Sequence, residues 1–291
     1  MRFNIVKIAI LILNYNNYED TKECIERLTK LSIDNSRIIV IDNHSSDDSL
    51  VKLRKLSNSK SFELLSAKRN KGFAAGNNMG IKYAIKKGMD YVVILNNDFI
   101  LNEDIISPMT EYLNQNRNVG VVGPSIWSQN VLINIGNKVN FRNVKYDNSI
   151  SLDNASNIID ADYIVGACMV SRVEAIKKVG LLPEEYFLNF EETSWCLMFK
   201  RKGYRIECLT QFSGNHLGNG TIGKISGMQV YFLRRNIVLF VRRNADPLNK
   251  ILFFLKLIPY GILQSIHAKS FLPLRSYIDG ITERNRYDYL E

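Results

Sequence analysis

Tyr91-Val-Val-Ile-Leu-Asn-Asn-Asp98 is the stretch on which the fold turns. Five apolar residues in a row suit a strand buried on both faces, as found in parallel sheets covered by helices. The run then stops on two amides and a carboxylate. Upstream, short apolar runs alternate with helical patterns. Lys7–Leu13, Arg37–Asp42 and Phe62–Ala67 read as strands, and Asp20–Lys30, Asp47–Lys55 and Ala74–Lys87 as helices. In the first helix Cys24, Ile25, Leu28 and Leu31 share one face. This βαβαβαβ rhythm predicts an α/β fold with a mainly parallel central sheet and right-handed crossovers.

Ligands of such sheets bind beyond the carboxyl ends of the strands. The segments at those places are Asn14-Tyr15-Asn16, Asp42-Asn43-His44-Ser45, Lys68-Arg69-Asn70-Lys71-Gly72 and Asn96-Asn97-Asp98. All four are polar, so they are expected to converge on one edge. Downstream, Val119–Val170 is rich in strand and turn patterns. Arg172–Val179 and Glu191–Lys202 read as helices, the latter with Trp195, Cys196 and Phe199 at core spacing. Gly227–Arg243 is a longer helix, and Pro247–Ala268 is strongly apolar but interrupted by Lys250, Lys256, Pro259 and Gly261.

Composition narrows the class. The 291 residues are 46% hydrophobic and 23% charged, which fits a packed domain with an appendage, or two modest domains, and excludes extensive disorder. Cys24, Cys168, Cys196 and Cys208 form no CxxC pair, which argues against a zinc site and for a reduced, cytosolic setting. The opening MRFNIVKIAILILNYNN has a basic end and an apolar run. Ile8–Leu13 is too short for a secretion signal, however, and no small-residue cleavage site follows. No segment reaches the roughly 18–20 apolar residues of a membrane span. The net charge is +9, and from Arg201 to Glu291 14 Lys and Arg stand against 6 Asp and Glu. That surplus of eight points to an anionic partner (membrane surface, nucleic acid or phosphorylated acceptor) or to a basic solubilising surface.

Four constellations carry chemistry. Asn96-Asn97-Asp98 offers oxygen ligands to Mg²⁺ or Mn²⁺, which neutralise a departing diphosphate; a turn capping a helix near Asn102 is an equal reading. Lys68–Asn78 sets Gly72 and Gly76 at a helix mouth behind three basic residues, where free N–H groups suit phosphate or ribose, or where glycines simply form turns. Glu191 and Glu192 open a helix, either as a base for an acceptor hydroxyl or as ordinary dipole partners. His216, in the Gly-rich loop 214–221, is a metal or phosphate contact or a surface residue. Asn219-Gly220-Thr221 also matches a glycosylation acceptor, discounted for want of a secretion signal.

Taken in order, ILNYNN, VIDNHSSDDS, RNKGFAAGNN, LNNDF, VGACMVSR, GLLPEEYFLNFEETSWC, and HLGNGT with a following RRN resemble the family 2 inverting glycosyltransferases, in particular their bacterial rhamnosyltransferase-like branch. The resemblance runs from Ile8 to Asn244. It implies a GT-A fold with a catalytic domain over 1–225, a nucleotide-binding half to about 100 and an acceptor-binding half from 101, and a helical region at 226–291. It implies a nucleotide-diphosphate sugar donor, rhamnose or a hexose, a glycan or lipid-linked acceptor, and a role in cell-surface polysaccharide synthesis. Asp98 takes the metal-binding position, with His216 near the metal and diphosphate. Asn14, Tyr15, Asn16, Asp42, Ser45, Asn70, Gly72, Asn77 and Asn97 fall in the donor pocket, and Gly166, Ala167 and Glu191 on the acceptor side. Glu192 matches the general base.

Two positions depart from the pattern. Ser194 replaces a third acid, and Asn-Asn-Asp replaces Asp-x-Asp, leaving one certain carboxylate. The implied cofactor is Mn²⁺ or Mg²⁺, nucleic acid is not an expected partner, and the cytoplasm or the inner face of the cell membrane is the expected location. The tail from Pro247 interleaves Leu252, Phe253, Phe254, Leu257 and Ile258 with lysines, as helices at an anionic membrane surface do; a helix packed on the domain or at a homodimer interface fits as well. The rival readings are a sugar-nucleotide nucleotidyltransferase, against which Asn14-Tyr15-Asn16-Asn17 stands where a basic glycine-rich loop belongs, and a non-catalytic binding protein of the same fold. The glycosyltransferase reading requires Asp98 and Glu192 to face one cleft.

Overall fold

The alternation read from the first hundred residues appears in the computed structural model, which describes residues 6–142, 145–147, 156–218 and 227–287. β1 (Ile8–Asn14), α1 (Tyr18–Leu31), β2 (Ser36–Asp42), α2 (Ser49–Ser57), β3 (Glu63–Ser66), α3 (Gly72–Lys86) and β4 (Tyr91–Asn96) follow in order, each end within two residues of the sequence reading. Then come β5 (Phe99–Ile100), α4 (Ile106–Gln115), β6 (Val119–Ser128), β7 (Val131–Asn134), the small hairpin β8 (Lys138–Asn140) and β9 (Lys145–Asp147), β10 (Ile158–Ala161), β11 (Cys168–Arg172) and α5 (Val173–Val179). A 3₁₀ turn at Glu184–Tyr186 leads to α6 (Glu191–Arg201), β12 (Arg205–His216), α7 (Met228–Asn244), α8 (Pro247–His267) and α9 (Leu272–Ile281). The boundary expected at 225/226 lies outside the described residues.

The main sheet has the order β10-β12-β6-β11-β4-β1-β2-β3, with β5 on β12 and β7 on β6. The segment β3-β2-β1-β4 is parallel, β11 returns antiparallel between β4 and β6, and β6 and β12 are parallel again. The sheet is therefore mixed, its parallel part nearest the amino terminus. Helices cover both faces. On one side Ala74 and Ile81 of α3, Ile176 of α5 and Trp195 and Phe199 of α6 pack on Leu11, Ile41 and Ile94. On the other, Ile25 and Leu28 of α1, Leu53 of α2 and Met109 of α4 pack on Ile10, Val40 and Val93. Burial of β4 on both faces explains its unbroken apolar run. Gly76 lets α3 lie close on β1, since a Cβ there would come 2.4 Å from Leu13 Cδ1.

Arg172, which ends the VGACMVSR motif, is buried and donates to the carbonyls of Leu113, Asn116, Arg117 and Val119. It closes the C-terminal end of α4, whose last carbonyls have no helical partner. Asp104 Oδ1 accepts from the N–H groups of Ile106 and Ser107. That residue, rather than Asp98, holds the start of α4.

The loop before α6 is strained. Phe187, Asn189 and Phe190 have φ of 62°, 66° and 75°, a region unfavourable to L-residues. Two elements hold it. The Phe187 carbonyl accepts the Phe73 N–H at 2.9 Å, and the Asn236 amide of α7, fully buried, donates to the carbonyls of Tyr186, Leu188 and Asn189. Gly72 makes the first contact feasible: it has φ +87°, and a Cβ on it would lie 2.1 Å from the Phe187 oxygen. Gly72→Ala is expected to lower stability by about 1–3 kcal/mol from the backbone conformation alone, with the clash adding to it. Thermal denaturation measures this, and an unchanged midpoint would contradict the packing described.

Candidate active site

The strand ends of the parallel segment and the strained loop enclose a cleft of about 400 Å³, within the size range of ligand pockets. Its walls include Tyr15, Asn43, Asn70 and Gly72 from the strand ends, Asn96, Asn97 and Asp98 beyond β4, Gly166 and Ala167 before β11, Glu191 and Glu192 of α6, and His216. Asp98 and Glu192 thus face one cleft. Gly166 and Ala167 sit there because β11 pairs with β4, the Asn96 N–H donating to the Ala167 carbonyl at 2.9 Å.

A buried chain of hydrogen bonds joins the strand ends. Asp42 Oδ1 accepts from Ser45 Oγ at 2.6 Å and from the Asn14 amide at 2.9 Å, and its Oδ2 accepts the Ser45 N–H. Asn14 Oδ1 accepts from Thr21 Oγ1 at 2.8 Å, and Thr21 Oγ1 accepts from the Asn97 amide at 2.9 Å. The ends of β2, β1 and β4 are therefore fixed in mutual register by side chains. Asn43 donates to Asn70 Oδ1, which also accepts the Gly72 N–H, so the third cluster is tied in as well.

Several of the expected donor-side residues do not line the cleft. Asn14, Asp42 and Ser45 lie behind the cleft wall, and both oxygens of the fully buried Asp42 accept from protein donors. Asn16 organises the β2–α2 loop, its Oδ1 accepting the Ser46 N–H at 2.7 Å. Asn77 is buried in α3, donating to the Phe73 carbonyl, and does not line the cleft. Two N–H groups at the mouth of α3 already have protein acceptors. The Phe187 carbonyl takes the Phe73 N–H and Asn70 takes that of Gly72. Lys68, Arg69 and Lys71 are exposed and stand outside the cleft.

At the other end of the cleft Asp98, 5% exposed, brings Oδ1 to 3.1 Å from His216 Nε2. The pairing of β12 with β5, His216 opposite Phe99, places the ring there. The same nitrogen is 3.3 Å from the Asn96 amide. Two ligands held about 2.1 Å from one cation at right angles lie about 3 Å apart, so this oxygen and nitrogen suit a shared divalent ion. Among the described residues no group of three or more His, Cys, Asp or Glu is placed to hold a metal. Two protein ligands with the remaining positions left to phosphate and water is the arrangement typical of Mg²⁺ at nucleotide sites.

The two glutamates differ. Glu191 is 3% exposed, and its Oε2 has no hydrogen-bond partner. Burial, and next the neighbouring Glu192 charge, hold its carboxyl well above the usual range. Glu192 is half-buried in the wall and raised mainly by burial, an effect opposed by the N–H groups of Glu192 and Thr193 at the start of α6. Burial thus raises the pKa of both carboxyl groups, that of Glu191 the more strongly. Ser194 Oγ faces away, within reach of Tyr186 Oη and the Asn244 amide, both at 3.3 Å. Sequence reasoning missed Thr21 and Asn236. Thr21 looked like one polar residue on an amphipathic helix, whereas Asn236 stood inside the RRN motif and was findable there. The stretch 214–221, expected as a loop, is strand as far as His216, the end of β12, and its residues 219–221 lie outside the described set.

The sequence profile of Glycosyl transferase family 2 matches residues 9–180. The chain is 22% identical over 98% of its length to the dTDP-rhamnosyl transferase RfbF of Shigella flexneri, spanning 92% of that protein. It is 25% identical over 68% of its length to the low-salt glycan biosynthesis hexosyltransferase Agl10 of Haloferax volcanii, of which it spans 63%. Among solved structures it superposes with a TM-score of 0.59 at 14% identity on the mannosyltransferase PcManGT from Pyrobaculum calidifontis in complex with GDP-Man and Mn²⁺, covering 95% of this chain and 73% of that one. For Staphylococcus aureus TarS 1–349 in complex with UDP-GlcNAc the TM-score is 0.60 at 14% identity, covering 94% and 79%. The chain belongs to glycosyltransferase family 2 and has the GT-A fold.

The buried Glu191 sets a pH dependence. Its folded pKa is raised, so between the ordinary 4.5 and the folded value the unfolded chain loses a proton that the folded chain keeps, and stability falls as pH rises through that window. Glu191→Gln removes this loss. The variant's thermal midpoint is expected to overtake that of wild type increasingly above pH 4.5; parallel midpoints across the range would refute the assignment.

Proposed function

We propose that this glycosyltransferase moves a sugar, rhamnose or a hexose, from a nucleoside-diphosphate donor to a glycan or lipid-linked acceptor, with inversion at the anomeric carbon. One observation carries the reading. Asp98, His216, Glu191 and Glu192 line a single cleft, and among the described residues no Lys or Arg lines it. A pyrophosphate entering such a cleft meets carboxylates and, among the described residues, no fixed cation. Its accommodation requires a positive charge brought from outside, and Asp98 with His216 form the matching pair of ligands.

The roles follow from position. A divalent cation bound there would neutralise the diphosphate as it leaves. Asn97, Asn70 and Tyr15 line the donor side of the cleft, and Gly166 leaves room because even a Cβ on it would touch the Phe73 ring at 3.3 Å. Glu192, ionised and steadied by the N-terminal N–H groups of α6, accepts the acceptor hydroxyl proton while the oxygen attacks the anomeric carbon from the face opposite the diphosphate. Glu191, whose neutral form burial favours, would offer a carboxyl proton to a sugar oxygen. Environments that push two neighbouring carboxyl groups apart in this way commonly divide their roles. Holding donor and acceptor in line supplies much of the rate. The likeness to a dTDP-rhamnosyl transferase over nearly the whole length of both chains favours a deoxythymidine-diphosphate rhamnose donor. A uridine-diphosphate hexose is the second choice, supported by the hexosyltransferase relative. A lipid-linked acceptor would bring the enzyme to the inner face of the cell membrane.

Glu192→Gln is expected to reduce transfer by about 10²–10⁴-fold while nucleotide binding, followed by calorimetry, stays near wild type. The acid limb of the wild-type rate profile should lie above the ordinary glutamate value of 4.5, since the base must be ionised and burial raises its pKa. Near-normal transfer by the variant would remove Glu192 from the reaction. Asp98→Asn is expected to abolish the gain in nucleoside-diphosphate affinity that Mn²⁺ confers on wild type. Titration of the nucleotide with and without the ion tests this, and an undiminished gain would move the metal elsewhere.

A further inference from the structure

Helix α8 touches the rest of the protein along a narrow line. Leu257, Gly261 and Ser265 are buried, and a Cβ at Gly261 would lie 3.0 Å from the Tyr277 ring of α9. On the other side Leu248, Ile251, Leu255, Ile258, Ile262 and Ile266 recur every three or four residues, each 42–69% exposed. At the turn into α9, Phe271 is 82% exposed. An uninterrupted apolar stripe along a 21-residue helix is uncommon on a free protein surface and marks a docking face.

Charge selects the occupant. Between Asp246 and Asp279 the chain has Lys250, Lys256, Lys269 and Arg275 and not one Asp or Glu. A twofold contact with a second copy would set this patch against itself, cation facing cation with no carboxylate in the patch to relieve it. An anionic lipid surface accommodates both properties, apolar side chains sinking between headgroups and basic ones meeting phosphates. No helix among the described residues is long and apolar enough to cross a membrane, so the helix would lie along the surface. Position agrees with this. Leu272, next to Phe271, packs with Phe187 and Met228, and both of these line the cleft. We propose that the α8 stripe and Phe271 dock the enzyme on an anionic bilayer, with the mouth of the cleft turned toward acceptors carried in that membrane.

Docking needs neither donor nor acceptor, so its outcome is separate from that of the transfer reaction. The full chain is incubated with vesicles of phosphatidylcholine mixed with phosphatidylglycerol, or of phosphatidylcholine alone, and the bound fraction is read by flotation. Wild type should bind the anionic vesicles and lose that binding at high salt. Lys256→Gln should weaken binding about fivefold, and the double variant Ile251→Glu, Leu255→Glu by about tenfold or more. Both replaced apolar side chains are exposed, so the thermal midpoint should stay unchanged and shows that the fold survives. Equal flotation of wild type and the double variant would overturn the proposal. So would a wild type that ignores anionic vesicles and sediments as a dimer which the double variant splits.

Discussion

The contact between Gly72 and the Phe187 carbonyl is the constraint on which the site depends. It ties helix α3 to the loop that delivers the two glutamates, and no other amino acid fits at 72 without moving that loop. The loop cannot stand unaided, because three of its non-glycine residues hold positive φ. Conformations of that kind cost of order 1–3 kcal/mol each and persist only where the surroundings over-determine them. Here the surroundings are the Phe73 N–H on one side and the Asn236 amide on the other. The helices after the sheet are thereby part of the site's framework, since α7 supplies the second clamp.

The same geometry explains why the cleft is acidic. At the start of α3, a natural anion site, two N–H groups have protein acceptors, and the basic residues before it are exposed and do not line the cleft. The start of α6 is occupied by its own glutamates. Both helix ends that might have greeted phosphate are committed to building the loop and tuning the carboxyl groups. In the proposed reaction, positive charge would enter with a cation held by Asp98 and His216, which would couple donor binding to metal binding.

Much of the architecture was legible because its signals are local. Strand β4 announced itself through an unbroken apolar run, the first three helices through their periodicity, and the polar clusters through their place after strands. The converging edge followed from the parallel topology, and the cleft does gather Tyr15, Asn70, Asp98 and Glu192. What stayed hidden depends on direction rather than position. Nothing in the sequence tells that Asp42 and Asn14 turn toward each other and Ser45 instead of the cleft, or that the glycine-rich mouth of α3 is filled by a carbonyl 115 residues away. Thr21 escaped for the same reason: its hydroxyl bridges two strand ends that only the folded sheet brings together.

The position of Ser194 shows how a lost acid changes a site. A third carboxyl group there would stand beside Tyr186 and Asn244 in a buried pocket, near two glutamates whose pKa values are already raised. Another buried negative charge would push those values further up. Serine avoids that load, satisfies its hydroxyl from Asn244, and fastens α6 to the end of α7. Burial raises the pKa of both carboxyl groups of the pair, that of the enclosed Glu191 more than that of the half-buried Glu192. In the proposed reaction the base and the proton donor would be one residue type, distinguished by the depth at which each is held.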